Sequence, residues 1–498
     1  MTGGSVRGCI ARGAQAVLGV RRGRQATVVV ASLLALTVLA SIFAPLLLSA
    51  PGEVAAVVVL FIAGMACVHD LAAFLFVVLT VATNVFGLVD LNTNKAIGLP
   101  AYDVALTALF GLFVLSRVVR GDIPLRDRLA TLPARLLLGL LAGIAGLIVY
   151  SSLNWGQTPW VSVRGAHDVV FYALGLFCLF VRIDERELRR CTRLFAAAGC
   201  IVALVPVLGF FFDLKTVLPG VRIDSYVVAG QRFFRTVPQG YFLLYIAFFL
   251  TFYQADLFRP AVRSTLLCLL GLAAALIGFR AGWLGLAGAV GWLALRDSRQ
   301  SASTSARTLI QGGLVVALVA GCVWLTGSGS YIGGRVSVVS SDLAQDGRPL
   351  DTLGSLSTRM FQIHALGKIF SRQPVLGAGF VFGDGPAAGV AREFGLRFVS
   401  TNDVGWMDML VRGGLVGAAY FVFAVAMLLR RLRALEDAPI GPFARAVRGY
   451  LWFCLIDMIG AAPFSCPTGV VPLVTLLGLL GASFPSAGAV RASKDGRQ

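Results

Sequence analysis

The chain has 498 residues, of which 57% are hydrophobic and only 14% are charged. Soluble domains carry roughly 25% charged residues, so this composition excludes an ordinary soluble protein and indicates an integral membrane protein. The formal net charge of +18 comes largely from short basic stretches beside apolar runs. Such stretches orient membrane helices and meet anionic lipid, so the charge does not indicate nucleic-acid binding.

Apolar runs long enough to cross a bilayer recur along the chain and predict about 14 transmembrane helices. The predicted spans are 26–49, 54–68, 71–88, 101–119, 136–153, 167–181, 194–212, 239–255, 263–279, 281–295, 308–326, 405–428, 446–464 and 468–484. Only His69 and Asp70 separate the second span from the third, so the expected count is about 12–14. The predicted fold class is therefore an all-α polytopic membrane protein.

Basic residues set the expected orientation. With the N-terminus inside, each strongly basic loop also falls inside, as the positive-inside rule requires. The expected organisation is a cytoplasmic basic N-terminus (1–25), transmembrane helices 1–11 (26–326) with an external loop (212–238), a large periplasmic loop (327–404), transmembrane helices 12–14 (405–484) and a cytoplasmic tail (485–498).

The large periplasmic loop is too long to be a mere connection, so we expect it to be functional. Apolar residues recur in it at helical spacing, which predicts a helix lying at the membrane interface. They are Leu356, Met360, Ile363, Leu366 and Phe370.

Several arginines fall on the external side, where the positive-inside rule predicts few. They are Arg222, Arg232, Arg235, Arg280, Arg335 and Arg359. A guanidinium binds phosphate through two parallel hydrogen bonds, so these residues indicate a phosphate or pyrophosphate on a lipid carrier. The three histidines and the cysteines show no metal-ligand spacing, so no metal or other cofactor is expected.

Four stretches combine these arginines with turn residues. They are Gln231-Arg232-Phe233-Phe234-Arg235-Thr236-Val237-Pro238-Gln239-Gly240, the turn Gly278-Phe279-Arg280-Ala281-Gly282, then Ser357-Thr358-Arg359 with Pro374-Val375-Leu376-Gly377-Ala378-Gly379, and finally Thr401-Asn402-Asp403-Val404-Gly405-Trp406 with Gly413-Gly414-Leu415-Val416-Gly417.

In this order, over roughly residues 225–425, the four stretches resemble the O-antigen ligase and Wzy-type polysaccharide polymerase family. The resemblance implies a GT-C-like membrane glycosyltransferase that uses an undecaprenyl-pyrophosphate-linked glycan at the periplasmic face of the bacterial inner membrane. It implies pyrophosphate binding by Arg280, by Arg359 and by Arg232 or Arg235, and it makes Arg280 a candidate catalytic residue. Asp403 is the titratable residue nearest to Thr401 and Asn402. The acceptor hydroxyl needs a base, so Asp403 is the second candidate catalytic residue and the candidate base. A flippase and a chain-length regulator are implied as partners.

The leading hypothesis is a polymerase of lipid-linked repeat units. Thr401 stands where the family usually has a histidine, which weakens the runner-up reading, a ligase that transfers glycan to lipid A-core. A transporter or flippase for an anionic lipid or solute is the alternative from another class; such proteins often show broken helices and intramembrane charges.

Each candidate residue also has a purely structural reading. In that reading, Arg280 is a helix-end arginine whose charge reaches the interface, and Arg232 and Arg235 are solvated loop charges. Arg359 is explained by an ion pair with Asp351. Asp403, in that reading, caps the N-terminus of the following helix.

Overall fold

The computed structural model describes residues 70–83, 95–96, 99–120, 129, 131–215, 218, 221–228, 231–277, 280–297, 355–381, 389 and 404–483. This part of the chain is mostly helical. It contains α1 (Leu71–Ala82), α2 (Ala101–Arg120), α3 (Leu132–Trp155), α4 (Pro159–Val170), α5 (Glu185–Phe211), α6 (Tyr241–Tyr253), α7 (Pro260–Ile277), α8 (Arg280–Asp297), α9 (Ser355–Arg372), α10 (Gly405–Ala434), α11 (Gly441–Asp457) and α12 (Pro467–Ser483).

Five helical segments in the described part of the chain are long and apolar enough to cross a membrane. They are α3, α4 with the 3₁₀ turns that extend it to Leu179, α5, α7 and α10. This finding confirms the prediction of a helical membrane protein. The spans expected at 26–49, 54–68 and 308–326 lie outside the described residues, so the count of 12–14 stays a prediction, as do the inside and outside assignments.

Local sequence explains where the long helices begin and end. The Asp184 side chain accepts a hydrogen bond from the N–H of Glu187 at 2.8 Å, which caps α5 and places negative charge at the positive end of its dipole. Helix α3 has a proline in its first turn and ends at Gly156, whose φ of 59° is left-handed. This is the usual N-terminal proline and C-terminal glycine arrangement.

Helix α6 lies at the centre of the core. Its residues from Phe242 to Ala247 are fully buried, and it contacts α5, α7, α11 and α12. Tyr245 stacks on Phe453 of α11 with ring centroids 4.1 Å apart. A helix that is apolar on every side belongs inside a bundle, so the surrounding helices keep α6 away from the solvent or lipid that surrounds the protein.

Helices α3 and α10 have the opposite character, because apolar side chains on both are exposed. Leu153 is 80% exposed and Phe423 is 56% exposed. Large apolar side chains that face outward from a membrane helix are expected to contact lipid. These two helices therefore form part of the bundle's outer surface.

Two elements refine the predicted secondary structure. The predicted external loop 212–238 contains an antiparallel hairpin of β3 (Arg222–Val228) and β4 (Gln231–Val237), so the structure is not purely α-helical. A second, shorter hairpin pairs β1 (Lys95–Ala96) with β2 (Leu99–Pro100). The helix predicted around residues 356–370 is confirmed as α9.

Candidate functional site

Helix α10 is interrupted at Gly414, where φ is 60° and ψ is −162°. The interruption removes helical hydrogen bonds from the neighbouring backbone groups, which must find other partners. Residues 374–380, the crossing segment, provide them. The N–H groups of Ala378 and Gly379 donate to the carbonyls of Val411 and Arg412 at 2.6 and 3.1 Å, and those of Leu415 and Val416 donate to the carbonyls of Pro374 and Val375 at 2.8 and 3.1 Å.

Two glycines allow this close approach. Gly377 and Gly414 have φ values of 73° and 60°, in the region that favours glycine. A Cβ on Gly377 would lie 2.5 Å from the carbonyl oxygen of Val411, and a Cβ on Gly414 would overlap the carbonyl of Val375. The glycine-containing parts of the third and fourth stretches therefore lie against each other.

The C-terminal end of α3 holds the other side of the crossing segment. The indole Nε1 of Trp155 donates to the carbonyl of Ala378 at 2.8 Å. The N–H of Phe380 donates to the Ser151 hydroxyl at 2.7 Å, and Nε2 of Gln157 donates to the carbonyl of Phe380 at 2.9 Å. The crossing segment is thus fixed between α3 and α10 by hydrogen bonds on both sides.

A buried ion pair lies in the first two turns of α10. Nε of Arg412 donates to Oδ1 of Asp408 at 3.0 Å; Asp408 is 0% exposed and Arg412 is 8% exposed. Within the described residues, no group accepts a hydrogen bond from Nη1 of Arg412. A buried donor without a partner costs free energy, so this pair offers one donor to a ligand.

The ion pair lines a cavity of about 450 Å³ between α3 and α10, which we call the α3–α10 groove. The lining is otherwise predominantly apolar and includes Gly143, Val416 and Phe464. Ligand sites typically have volumes of about 300–1,000 Å³ and apolar walls with a few polar groups. The α3–α10 groove has this composition.

A larger cavity, of about 600 Å³, has a different character. It is lined by three arginines and three carboxylates, Arg117, Arg182, Arg190, Asp70, Asp184 and Glu187, with three apolar residues. Arg190 pairs with Asp70 at 2.6 Å, and the Asp70 and Asp184 carboxylates cap helices. These charges already serve the fold, so we place the candidate site in the α3–α10 groove.

Two of the candidate arginines are brought close to one turn. Arg280 is the first residue of α8, and Arg359 of α9 donates from Nη2 to the carbonyl of Gly460 at 3.2 Å. A Cβ on Gly460 would lie 2.6 Å from the Cβ of Ala281 and 3.2 Å from Nη1 of Arg359. The start of α8 and helix α9 therefore meet at the turn between α11 and α12.

The same turn also supports the candidate site. The N–H of Gly405, at the start of α10, donates to the carbonyls of Met458 and Ala461 at 3.0 and 3.1 Å. Met458 and Ala462 line the α3–α10 groove. The second, third and fourth stretches are thus linked through one short turn.

Two of the remaining candidates lie on the hairpin of the external loop. Arg232 and Arg235 are on β4, where Arg232 pairs in register with Val227 and Arg235 with Asp224; the hairpin contacts α5 and α7. Asp403 lies outside the described residues.

The N-cap position of α10 is occupied by Val404. The N-cap is the residue whose side chain normally satisfies the first helical N–H groups. The Val404 side chain makes no capping hydrogen bond, and the reading of Asp403 as a cap stays a prediction.

Sequence reasoning missed Asp408 and Arg412. Both fall in the predicted span 405–428, where an aspartate is followed four residues later by an arginine inside an apolar run. Ionisable residues inside a membrane segment indicate function by default, and residues four apart are neighbours on one face of a helix. The two rules together point to this pair.

The fold and the apolar helices define a helical membrane protein. No family model matches the chain, and a search of curated proteins found no match.

Proposed function

We propose that this protein is a polymerase of the bacterial inner membrane that works at the periplasmic face. It joins undecaprenyl-pyrophosphate-linked oligosaccharide units into an exopolysaccharide or O-antigen. The observation that carries the proposal is the assembly around α10: the crossing segment fills the break at Gly414 beside an apolar groove that ends at a buried arginine. A lipid-linked pyrophosphate needs both an apolar surface and fixed positive charge.

The proposed reaction forms one bond and breaks one. A sugar hydroxyl of the incoming unit attacks the anomeric carbon of the glycan on the donor, and the bond from that carbon to the pyrophosphate breaks. The released undecaprenyl pyrophosphate carries the electron pair. Arg232, Arg235, Arg280 and Arg359 are the proposed ligands of this leaving group, because preorganised guanidinium groups stabilise developing negative charge without a metal.

The acceptor hydroxyl must lose a proton in the same reaction. Asp403 is the candidate base that takes it, since a carboxylate at a membrane boundary can be brought to a suitable proton affinity by its surroundings. In this proposal Asp403, one position before the N-cap of α10, holds the proton that the acceptor hydroxyl has lost.

Deletion of the encoding gene tests the proposal. A polymerase defect leaves single repeat units on the lipid carrier. Long polymers that remain attached to the carrier would indicate the ligase instead. Normal surface polysaccharide in the deletion strain contradicts both readings.

A transporter of a lipid-linked anion is the second candidate, because α10 is broken at Gly414 and carries a buried ion pair. Broken helices and intramembrane charges are common at transporter sites. Purified protein with lipid-linked donor in detergent, without a gradient, distinguishes the two. Polymer formation supports the enzyme. If no polymer forms, and the same protein moves the lipid-linked donor across the membrane of liposomes, the transporter is supported.

A further inference from the structure

We infer that the α3–α10 groove binds part of the isoprenoid chain of a polyprenyl pyrophosphate lipid, with Arg412 binding its phosphate. This inference rests on the proposed function, because it identifies where the lipid carrier is held. It adds Arg412 to the proposed phosphate ligands, and it assigns Asp408 as the residue that orients Arg412.

The polar end of the groove fits an anion on a lipid. The Nε of Arg412 is already used by Asp408 at 3.0 Å, and Nη1 has no acceptor among the described residues. The carboxylate therefore fixes the guanidinium plane and leaves a donor available. A phosphate oxygen makes a strong, charge-assisted hydrogen bond with such a donor.

The body of the groove fits a hydrocarbon chain. Its lining includes Ile144, Leu147, Val169 and Phe421 together with glycines of α3. Val416, on the groove wall, is 54% exposed. One wall of the groove therefore reaches the outer surface of the bundle, so a chain can enter it from the bilayer.

Glycines set the width of the groove. A Cβ added to Gly143, Gly146 or Gly417 would meet no atom of the described residues within 4 Å, so this part of the chain leaves open space beside them. A Cβ on Gly139 would instead overlap the hydroxyl of Tyr420, which donates to the carbonyl of Leu136 at 2.8 Å. The groove thus has open space along α3 and a closed end at Tyr420.

Binding of a lipid probe to the purified full-length protein tests the inference without any measurement of activity. The probe is radiolabelled undecaprenyl pyrophosphate in detergent micelles. Gly143→Leu and Gly146→Leu fill the groove and favour helix formation relative to glycine. Gly291→Leu in α8 is the matched control, because its Cβ also meets no atom within 4 Å and the residue does not line the groove.

We expect Gly143→Leu and Gly146→Leu to weaken probe binding at least tenfold and Gly291→Leu to stay within twofold of wild type. Arg412→Gln should weaken binding of the pyrophosphate lipid at least tenfold and leave binding of the uncharged polyprenol within twofold. Wild-type binding should persist in excess phosphatidylglycerol. A thermal melt of each variant checks that it is folded.

Three results overturn the inference. One is binding within twofold of wild type for both groove-filling variants. Another is equal binding of wild type and Arg412→Gln. The third is full displacement of the probe by phosphatidylglycerol, which would identify a general phospholipid site. If the probe binds as expected while the deletion strain makes normal polysaccharide, the proposed function fails and the lipid site stands.

Discussion

Nη2 of Arg359 donates to the carbonyl of Gly460 at 3.2 Å, and this one contact joins helix α9 to the turn between α11 and α12. Ala281, the residue after Arg280, touches the same glycine from α8. Arg359 is therefore both a candidate phosphate ligand and a structural link. Its second nitrogen, Nη1, lies within 3.2 Å of the position a Gly460 Cβ would occupy.

Replacement of Gly460 by alanine tests that link. The new Cβ would lie 2.6 Å from the Cβ of Ala281, so α8 or the turn must shift, and overpacking of this kind costs about 1–3 kcal/mol. Thermal unfolding in detergent measures the loss. Gly367→Ala in α9 is the control, because its Cβ meets no atom within 4 Å; equal melting temperatures for the two variants would contradict the close contact.

Replacement of Gly414 by alanine tests the crossing segment. The variant combines a left-handed backbone with an overlap on the Val375 carbonyl, and we expect a loss of about 2–6 kcal/mol from strain and overpacking together.

Gly156→Ala separates the two causes, because Gly156 has a φ of 59° but its Cβ meets no atom within 4 Å. Gly156→Ala should lower the free energy of unfolding only by the cost of a left-handed alanine backbone, roughly 1–2 kcal/mol. Equilibrium unfolding of both variants gives the comparison. A Gly414→Ala variant no less stable than Gly156→Ala would mean that the crossing segment does not touch α10 as described.

The buried ion pair predicts a double-variant effect. Removing one partner, as in Asp408→Leu or Arg412→Met, leaves an uncompensated charge and should cost about 3–5 kcal/mol. The double variant Asp408→Leu with Arg412→Met removes both charges, so its stability should return to near that of wild type. A double-mutant cycle by thermal unfolding checks this, and additive losses would show that the two groups do not interact.

Arg280→Lys should lower polymer output well below wild type, because lysine keeps the charge but loses the bidentate fork for phosphate. Arg259→Lys, in the basic segment before α7, is the control and should leave output unchanged. Polymer amount and chain length on gels are the measurement. Unchanged output from Arg280→Ala would remove Arg280 from the proposed site.

Asp403→Asn keeps the size of the side chain and removes its capacity to accept a proton. Asparagine is as good a capping residue as aspartate, so the substitution preserves a helix cap made by this side chain. Loss of a general base typically costs about 10²–10⁴-fold in rate, and a rate assay with purified protein and lipid-linked donor measures it. Wild-type rates from the variant would assign Asp403 a structural role.

Sequence periodicity predicted the helices well, because each apolar run must satisfy its own backbone hydrogen bonds in a bilayer. The predicted span 101–119 is α2, and 468–484 is α12 within one residue at each end. The predicted span 71–88 was too long, since α1 ends at Ala82 with Thr83 as its C-cap. Hydropathy reports where a helix is tolerated and says little about where its last turn ends.

The candidate site was only partly predictable. The motif stretches correctly included the glycines at 377 and 414. Nothing in the spacing of residues 374–379 and 411–416 shows that they pair, because that contact depends on how α3 and α9 place the crossing segment. Asp408 and Arg412 were overlooked for a related reason. Two opposite charges one helical turn apart cancel in the net charge of a span, so a net-charge count along the chain does not detect them.

The break in α10 also bears on how the chain is assembled in the membrane. The backbone groups around Gly414 have no helical partners, and polar groups left bare in hydrocarbon cost several kcal/mol each. Their partners, residues 374–379, are synthesised before α10 leaves the ribosome. The first third of α10 is therefore stable in the bilayer only together with the crossing segment, which has already left the ribosome. A deletion of the crossing segment would impair membrane insertion and folding before it could affect activity.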